Sequence, residues 1–350
     1  MWTAGPEGEG DGMPDREMAP DTTIRDFVAR SGLVPGDTKP HFTALTGGVA
    51  SDIWRVETRE QVFVVKKALA RLRVAREWTA PVSRNASEVE WLVTAGAVVP
   101  HAVPKILAHD ELAGAFAMEF LDPAEYPVWK AQLAAGNAIP AFAAQVGKAL
   151  ANIHNATAGD EMIARRFAND AVFQAIRLEP YLEAPALVHP HLSHALITLS
   201  RDTLATKQAL VHGDISPKNI LVGPLGPVFL DAECAWYGDP AFDLAFCLNH
   251  LLLKMFLAEA ARGSLRACFI SLASTYLNAV SFEPRKDIEA RSARLLPALL
   301  LGRVDGKSPV EYLTQKADKE RVRRVATSLI VHPPTVLDVV IDVFMTELAQ

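Results

Sequence analysis

Asp214, Asn219, Asp231 and Glu233 are the residues of this chain whose types and spacing could do chemistry. All four lie in LVHGDISPKNILVGPLGPVFLDAE, residues 210–233. Leu210 and Val211 bring an apolar run up to His212-Gly213-Asp214, a polar elbow. Asn219 follows and opens a second apolar run, Ile220-Leu221-Val222. Gly223-Pro224-Leu225-Gly226-Pro227 alternates the two strongest breakers and predicts a tight turn. Val228-Phe229-Leu230 is a third apolar run, and it ends on Asp231 and Glu233. Two short runs joined by such a turn predict a hairpin. A hairpin sets the residue before its first strand beside the residue after its second. Asn219 and Asp231 therefore become neighbours, with Asp214 on the loop leading in. Oxygen ligands of this kind suit Mg²⁺, which keeps several waters and is completed by substrate phosphates. A base-like carboxylate beside such a cluster outlines a phosphoryl-transfer centre.

The elements able to position that centre come before and after it. His41 to Leu45, the small-residue turn Thr46 to Asp52, and Ile53 to Val56 read as strand, turn, strand. Gly47 and Gly48 in the turn would let backbone N–H groups approach phosphate oxygens, although Gly-Gly between strands equally marks an ordinary hairpin. Val62 to Lys66 is an apolar strand that reaches Lys66 and Lys67. Side chains alternate across a strand, so only one of these lysines can face a cleft. After a basic run at Arg71 to Trp78, residues 83–95 predict a helix with Ser83 as N-cap. Ala86, Val89, Leu92 and Val93 form its apolar stripe, flanked by Glu88 and Glu90. Pro104 to Ala108 and Ala115 to Leu121 predict two more strands, ended by Asp122-Pro123.

The remainder reads as mostly helical. Thr22 to Ser31 is a short helix capped by Asp21 or Thr22, and Ala141 to Asn155 carries a helical stripe of Phe142, Val146, Leu150 and Ile153. Phe167 to Leu187 and Leu192 to Gln208 read as helices separated by a Pro-rich break at 185–190. Leu244 to Leu257 is the most apolar stretch, but Asn249, His250 and Lys254 interrupt it, which favours a buried helix over a membrane span. The final helices separate at Arg303 to Lys307, with Ser308-Pro309 expected as N-cap and first residue of the next.

Composition narrows the class. With 350 residues, 50% hydrophobic and 22% charged, the chain is large enough for two lobes. A net charge of −6 argues against a nucleic-acid or anionic-membrane partner. Cys234, Cys247 and Cys268 have no paired spacing, which fits a reducing cytoplasm. The first 20 residues lack an apolar signal region and, being rich in Gly, Pro and acid, predict a disordered tail over 1–20. HExxH, GxSxG and GxxxxGK[ST] motifs are absent, and His189, His191 and His194 read as solvent-exposed in a Pro-flanked loop.

His-Gly-Asp, four residues, Asn, then a hairpin and Asp-x-Glu resembles the aminoglycoside phosphotransferase and choline kinase superfamily, whose fold is similar to that of protein kinases. Asp231-Ala232-Glu233 and Val65-Lys66-Lys67-Ala68-Leu69 look most like its 5-methylthioribose kinase branch. The likeness runs from about Phe42 to Asp243. It implies an α+β, bilobal, protein-kinase-like fold, with a small antiparallel β-sheet in an N-terminal lobe over 21–121 and a mainly helical C-terminal lobe over 122–350. It also implies ATP, or another nucleoside triphosphate, with Mg²⁺, and a small-molecule hydroxyl as acceptor. Asp214 would then accept or orient the hydroxyl proton, Asn219 and Asp231 would hold Mg²⁺, and Glu233 would add a metal or substrate contact. The likeness picks Lys66 over Lys67 as the phosphate contact. Glu88 becomes its partner by its distance to Val99-Pro100, Gly47 and Gly48 a phosphate flap, and backbone groups of Glu119 and Leu121 the adenine hinge. Asp243 would brace the catalytic loop, and His154 would be structural.

A catalytically inactive nucleotide-binding protein of the same fold is the alternative. Such proteins usually lack the base, the metal ligand or the lysine, and all are present here. A protein-substrate kinase is disfavoured, because His-Gly-Asp replaces His-Arg-Asp and no Ala-Pro-Glu follows. The acceptor pocket of the superfamily is built by C-terminal helices, where the likeness thins and the paired arginines of methylthioribose kinases have no clear counterpart. Arg291, Arg294, Arg303 and Lys307 favour a neutral or anionic acceptor over an aminoglycoside.

Overall fold

The computed structural model describes residues 19–45, 51–69 and 84–350. Residues 1–18 of the expected tail, the Gly47–Gly48 turn, the basic run at 71–78 and the Ser83 cap lie outside these. β1 (His41–Ala44), β2 (Ser51–Glu57), β3 (Val62–Ala68), β4 (Ile106–Asp110) and β5 (Ala115–Glu119) form one antiparallel sheet, in the order β1-β2-β3-β5-β4. Alternation along β3 sorts its side chains between two cores. Phe63 and Val65 pack with Trp54 and Val56 against Ile24, Phe27 and Val28 of the Thr22–Arg30 helix, whose N-cap is Asp21. Val64 faces the other way, towards Val89 and Leu92 of the Arg84–Val98 helix. Lys66 shares the parity of Val64, and Lys67 that of Val65. The faces of the two lysines are therefore fixed by the apolar pattern upstream of them.

From residue 129 on, the chain is mainly helical. The Pro140–Thr157 and Arg262–Ala279 helices pack closely, and a Cβ at Gly147 would stand 2.4 Å from the Leu272 carbonyl oxygen. The Ala241–Leu257 helix is buried on every side from Ala241 to Met255. No helix among the described residues is long and apolar enough to cross a membrane. Two smaller antiparallel pairs sit among the helices. β6 (Ala209–Val211) pairs with β9 (Trp236–Gly238), and β7 (Ile220–Gly223) pairs with β8 (Gly226–Phe229). Sheet and helices together make the expected bilobal α+β architecture.

Four expectations differ. Residues 167–187 are not one regular helix: a short helix at Asp170–Phe173 passes into a π-helical segment, Gln174–Glu183, that contains Pro180. The expected break at 185–190 is helical as far as Val188, because Pro185 sits in the first turn of the Ala184–Val188 helix, where it is tolerated. Ser308 caps no helix. The Arg303 guanidinium takes both its carbonyl oxygen (2.6 Å) and its hydroxyl (3.0 Å), and the next helix begins only at Lys316. His189 also departs from the expected exposure, with its Nε2 2.7 Å from Asp305 Oδ2.

Candidate active site

β6 runs directly into His212-Gly213-Asp214, and two carboxylate bonds shape that loop. The amides of His212 and Gly213 donate to Asp243 Oδ2 and Oδ1, at 2.7 and 2.8 Å. Asp243 is itself held in the interior by His154 Nε2 at 3.3 Å, and Tyr276 Oη lies 2.8 Å from the other ring nitrogen of His154. Gly213 adopts φ +79°, and a Cβ there would come 2.7 Å from the Cys234 carbonyl oxygen, so the elbow needs glycine. The Asp214 amide donates to His212 Nδ1 at 3.1 Å, which puts the ring proton on Nε2. Nε2–H then donates to the Leu230 carbonyl at 3.1 Å. Burial lowers the His212 pKa, so the ring stays neutral and ties the loop to the residue before Asp231. The Trp91 ring packs edge-on against it, with centroids 4.6 Å apart.

The hairpin brings its flanks together as the sequence implies. Ile220 pairs with Phe229, and the Leu230 amide donates to the Asn219 carbonyl at 2.9 Å. Asn219 Nδ2 donates to the Asp214 carbonyl at 3.1 Å, so Oδ1 is the atom that could serve as a ligand. Asp231 has φ +68°, a left-handed conformation that Asp tolerates better than most residues. Its side chain is 33% exposed. This donor set is an amide and a carboxylate oxygen, which fits a hard divalent cation. Among the described residues no group of three His, Cys, Asp or Glu could hold a metal alone, so such a cation would draw its other ligands from water and phosphate.

Two lysines bracket Asp231. Lys66 Nζ lies 2.7 Å from Glu88 Oε2 and also contacts Asp231 Oδ1. Burial works against the Lys66 ammonium, but Asp231, Glu88 and Glu233 outweigh it and raise its pKa. Burial pushes the Glu88 carboxyl up to about 7, against the pull of Lys66. Lys67 points to the opposite face and contacts Asp21, and Glu90 turns outward to Arg166 at 3.1 Å. Lys218 Nζ sits 3.0 Å from Asp214 Oδ2 and 4.0 Å from Asp231 Oδ2, bridging the two carboxylates. Burial would raise Asp231, yet Lys66 and Lys218 outweigh it and hold this carboxyl well below the usual range.

Three contacts lay beyond the reach of the sequence. Lys218 is one. Arg177, from the π-helical segment, places Nη2 2.9 Å from Asp214 Oδ2 and donates through Nε to the Gly213 carbonyl at 2.5 Å. Irregular helix of this kind is common at functional sites. Burial would raise the Asp214 carboxyl, but Lys218 and Arg177 hold it below its ordinary value. Arg84 donates to Glu233 Oε2 at 2.8 Å and to the Leu69 carbonyl at 2.6 Å. Glu233, expected to touch metal or substrate, is thus engaged by an arginine through at least one of its oxygens. At the end of β5 the Glu119 amide is already committed to the Lys105 carbonyl at 2.9 Å, whereas the Leu121 amide has no backbone partner among the described residues.

The arrangement combines an ionised carboxylate fixed by two cations, an oxygen pair for a divalent metal, and a buried lysine anchored by a glutamate. Comparison with known proteins decides its family: the model of a phosphotransferase enzyme family matches residues 41–276. The chain belongs to that family. The methylthioribose kinase of Yersinia pseudotuberculosis serotype O:3 (strain YPIII) is 28% identical over 217 residues, covering 55% of this chain and 53% of that protein. The methylthioribose kinase of Pectobacterium carotovorum subsp. carotovorum (strain PC1) is 27% identical over 224 residues, covering 57% and 56%. The chain therefore spans about half the length of the curated relatives it matches. Among solved structures, a choline/ethanolamine kinase family protein from Mesorhizobium loti superposes with a TM-score of 0.51 at 13% identity, covering 92% of this chain and 99% of that one. An ethanolamine kinase from Plasmodium vivax gives a TM-score of 0.50 at 12% identity, covering 93% and 86%. At these identities the likeness establishes the protein-kinase-like fold.

Arg177 gives a test of how Asp214 is held. Arg177→Met should lower kcat while leaving the KM for the phosphoryl donor within about threefold. It should also move the acid limb of the kcat profile to higher pH, because Asp214 loses one of the two cations that depress its pKa. An unshifted acid limb in a folded variant would show that Arg177 does not act through Asp214.

Proposed function

We propose that this phosphotransferase-family chain moves the γ-phosphoryl group of ATP, or another nucleoside triphosphate, to a hydroxyl of a small molecule. Residues 21–121 form the nucleotide-binding lobe and residues 122–350 the catalytic and acceptor-binding lobe. The observation that carries this reading is the clustering of Lys66, Glu88, Asp231, Asn219, Lys218 and Asp214 in one cleft. Lys66 grips the phosphates and is steadied by Glu88, and the sequence offers Gly47 and Gly48, outside the described residues, as the phosphate flap. Asn219 and Asp231 would hold Mg²⁺, which would supply neutralisation of phosphate charge, and Glu233 would offer a further contact from its place on Arg84. The Glu119 carbonyl and the Leu121 amide meet the adenine edge.

Asp214 is held as an anion by Arg177 and Lys218, so it can accept the hydrogen bond, and then the proton, of the attacking hydroxyl. Its main task is to aim the attacking hydroxyl, in line with chemistry that relies on positioning and charge neutralisation. Lys218, between Asp214 and Asp231, stands where negative charge would pass from donor to acceptor. A screen of hydroxyl compounds by coupled ADP release tests the reading. Acceptor-dependent ADP release that needs Mg²⁺ is expected. Tight Mg-ATP binding without turnover of any acceptor would favour the inactive nucleotide-binding alternative.

The lysines give a sharper local test. Lys66→Ala should lower kcat/KM for ATP by about 10- to 100-fold, the worth of a charged hydrogen bond, whereas Lys67→Ala should not. Removing one partner of a buried pair costs about 3–5 kcal/mol, but Glu88 can take up a proton near neutral pH and soften that loss. Glu88→Gln should reproduce part of the defect, and the double variant should be little worse than Lys66→Ala. Additive losses would mean that the two residues do not act as a unit.

A further inference from the structure

Next to Asp214 lies a group of buried cationic and polar side chains that the reading above leaves unused. Phe246, His250 and Lys254 recur every four residues along one face of the Ala241–Leu257 helix. The Arg177 guanidinium, which holds Asp214, sits over the Phe246 ring at 5.8 Å, and the His250 ring stacks edge-on to Phe246 at 5.2 Å. Tyr181 packs on Phe246 at 5.4 Å, and Arg303 donates to Tyr181 Oη at 3.2 Å. One turn further along the helix, Lys254 Nζ lies 4.0 Å from the Tyr312 ring centroid. The charges of Asp214 and Lys218 act on His250, which places the group within electrostatic reach of the reacting centre.

The hydrogen bonding of this group is incomplete. Lys254 Nζ, His250 Nε2, Arg303 Nε and Tyr312 Oη are buried atoms with no hydrogen-bond partner among the described residues. Lys254 is only 2% exposed and His250 only 8%. A buried ammonium with no acceptor is unfavourable, and such orphans in a folded protein need a reason. The Lys130–Glu311 ion pair flanks the site, and Glu311 is already committed to Lys130. Burial, with Lys130 adding to it, lowers the Lys254 pKa to about 8, which still leaves it mainly charged at neutral pH.

The basic residues that the sequence offered in this region behave differently. Arg291 is closed by Asp239 at 3.0 Å and Glu283 at 2.7 Å, and Arg294 by Asp202 at 3.5 Å. Lys307 is closed by Glu179 at 2.6 Å. Of the four, only Arg303 belongs to the group beside Asp214.

We propose that Lys254, His250, Arg303 and Tyr312 form the acceptor pocket and take an acceptor that carries an anionic group, a carboxylate or a phosphate, besides its reacting hydroxyl. The proposal rests on the phosphoryl-transfer reading and adds the substrate class to it. An anion seated on Lys254 and Arg303 would satisfy their orphaned donors and hold the hydroxyl end of the molecule towards Asp214. An ammonium-bearing acceptor would meet unpaired like charge in a buried site.

Two charge-matched sets of hydroxyl compounds test this by coupled ADP release. One is gluconate, glucose 6-phosphate, glucose and glucosamine; the other is glycerate, glycerol 3-phosphate, glycerol and 3-amino-1,2-propanediol. The acids should be preferred within each set, and the carboxylate and phosphate arms show which anion the pocket takes. Lys254→Met should lower kcat/KM for the preferred acid about 10- to 100-fold, and at least tenfold more than for the neutral member. Lys254→Glu should shift preference towards the ammonium member. If Lys254 variants fail to fold, Arg303→Gln should give the same selective loss for the acid. Preference of the wild type for neutral or ammonium acceptors would overturn the anionic pocket while leaving phosphoryl transfer standing. Absence of transfer to all eight compounds would overturn the phosphoryl-transfer reading, and the pocket with it.

Discussion

Asp214→Asn is expected to lower kcat by about 10²–10⁴-fold, the usual contribution of a positioned acid–base group. The affinity for Mg-ATP should change little. The exchange keeps the shape of the side chain but removes the charge that Arg177 and Lys218 hold at 2.9 and 3.0 Å. The amide can still touch both cations through its oxygen, so the loop should stay in place, braced by Asp243 beneath it. What is lost is an anionic acceptor for the hydroxyl proton. Steady-state kinetics with calorimetry on the same preparation would separate the two effects. Activity within about threefold of wild type would remove Asp214 from the chemistry.

A loss of different character is expected at Asp231. Asp231→Asn should cut Mg²⁺-dependent nucleotide affinity to the level seen without the metal, because it removes the one carboxylate of the oxygen pair. Asn is the better substitution than Ala: φ at this position is +68°, which Asn adopts readily, so charge is tested apart from backbone strain. Asp231→Ala should show the same binding loss together with lower stability. Lys66 and Lys218 both face Asp231, and without its charge they should be freer to hold phosphate in a metal-independent way. Calorimetry with and without Mg²⁺ reads both effects. Equal Mg-ATP affinity in Asp231→Asn and wild type would place the metal elsewhere.

Legibility of the site followed how local its cause was. The hairpin is written in three short apolar runs and one breaker cluster, so Asn219 and Asp231 could be placed side by side before any coordinates. Strand parity set Lys66 and Lys67 on opposite faces, and the family resemblance picked Lys66 as the inward one. Arg177 and Arg84 were invisible because their partners lie far along the chain, 36 residues away for Gly213 and 149 for Glu233. Nothing in the local pattern marks either arginine. Ser308-Pro309 shows the converse: a sound local capping signal is overridden when Arg303 claims both oxygens of Ser308. His250 and Lys254 served only as arguments against a membrane span. Their recurrence on one helix face with Phe246 was the available signal of the proposed pocket wall.

The fold was legible to the same degree. Short runs bounded by turn residues gave the strands of the antiparallel sheet, and the helical apolar stripe read at Ala141 to Asn155 gave the Pro140–Thr157 helix closely. The π-helical segment was not legible, since it depends on how Pro180 packs against the chain at Gly306 and Lys307. That segment carries Arg177, so the least readable part of the fold supports the most readable residue of the site.

One measurement bears most directly on phosphoryl transfer to a hydroxyl. Wild-type protein, Mg²⁺ and ATP with an isotopically labelled γ-phosphoryl group are incubated with the preferred acceptor and followed by phosphorus NMR. The expected result is the label in a new phosphomonoester of the acceptor, formed in step with ADP and absent with Asp214→Asn. Label recovered only as inorganic phosphate, or left in ATP that binds without turnover, would contradict it.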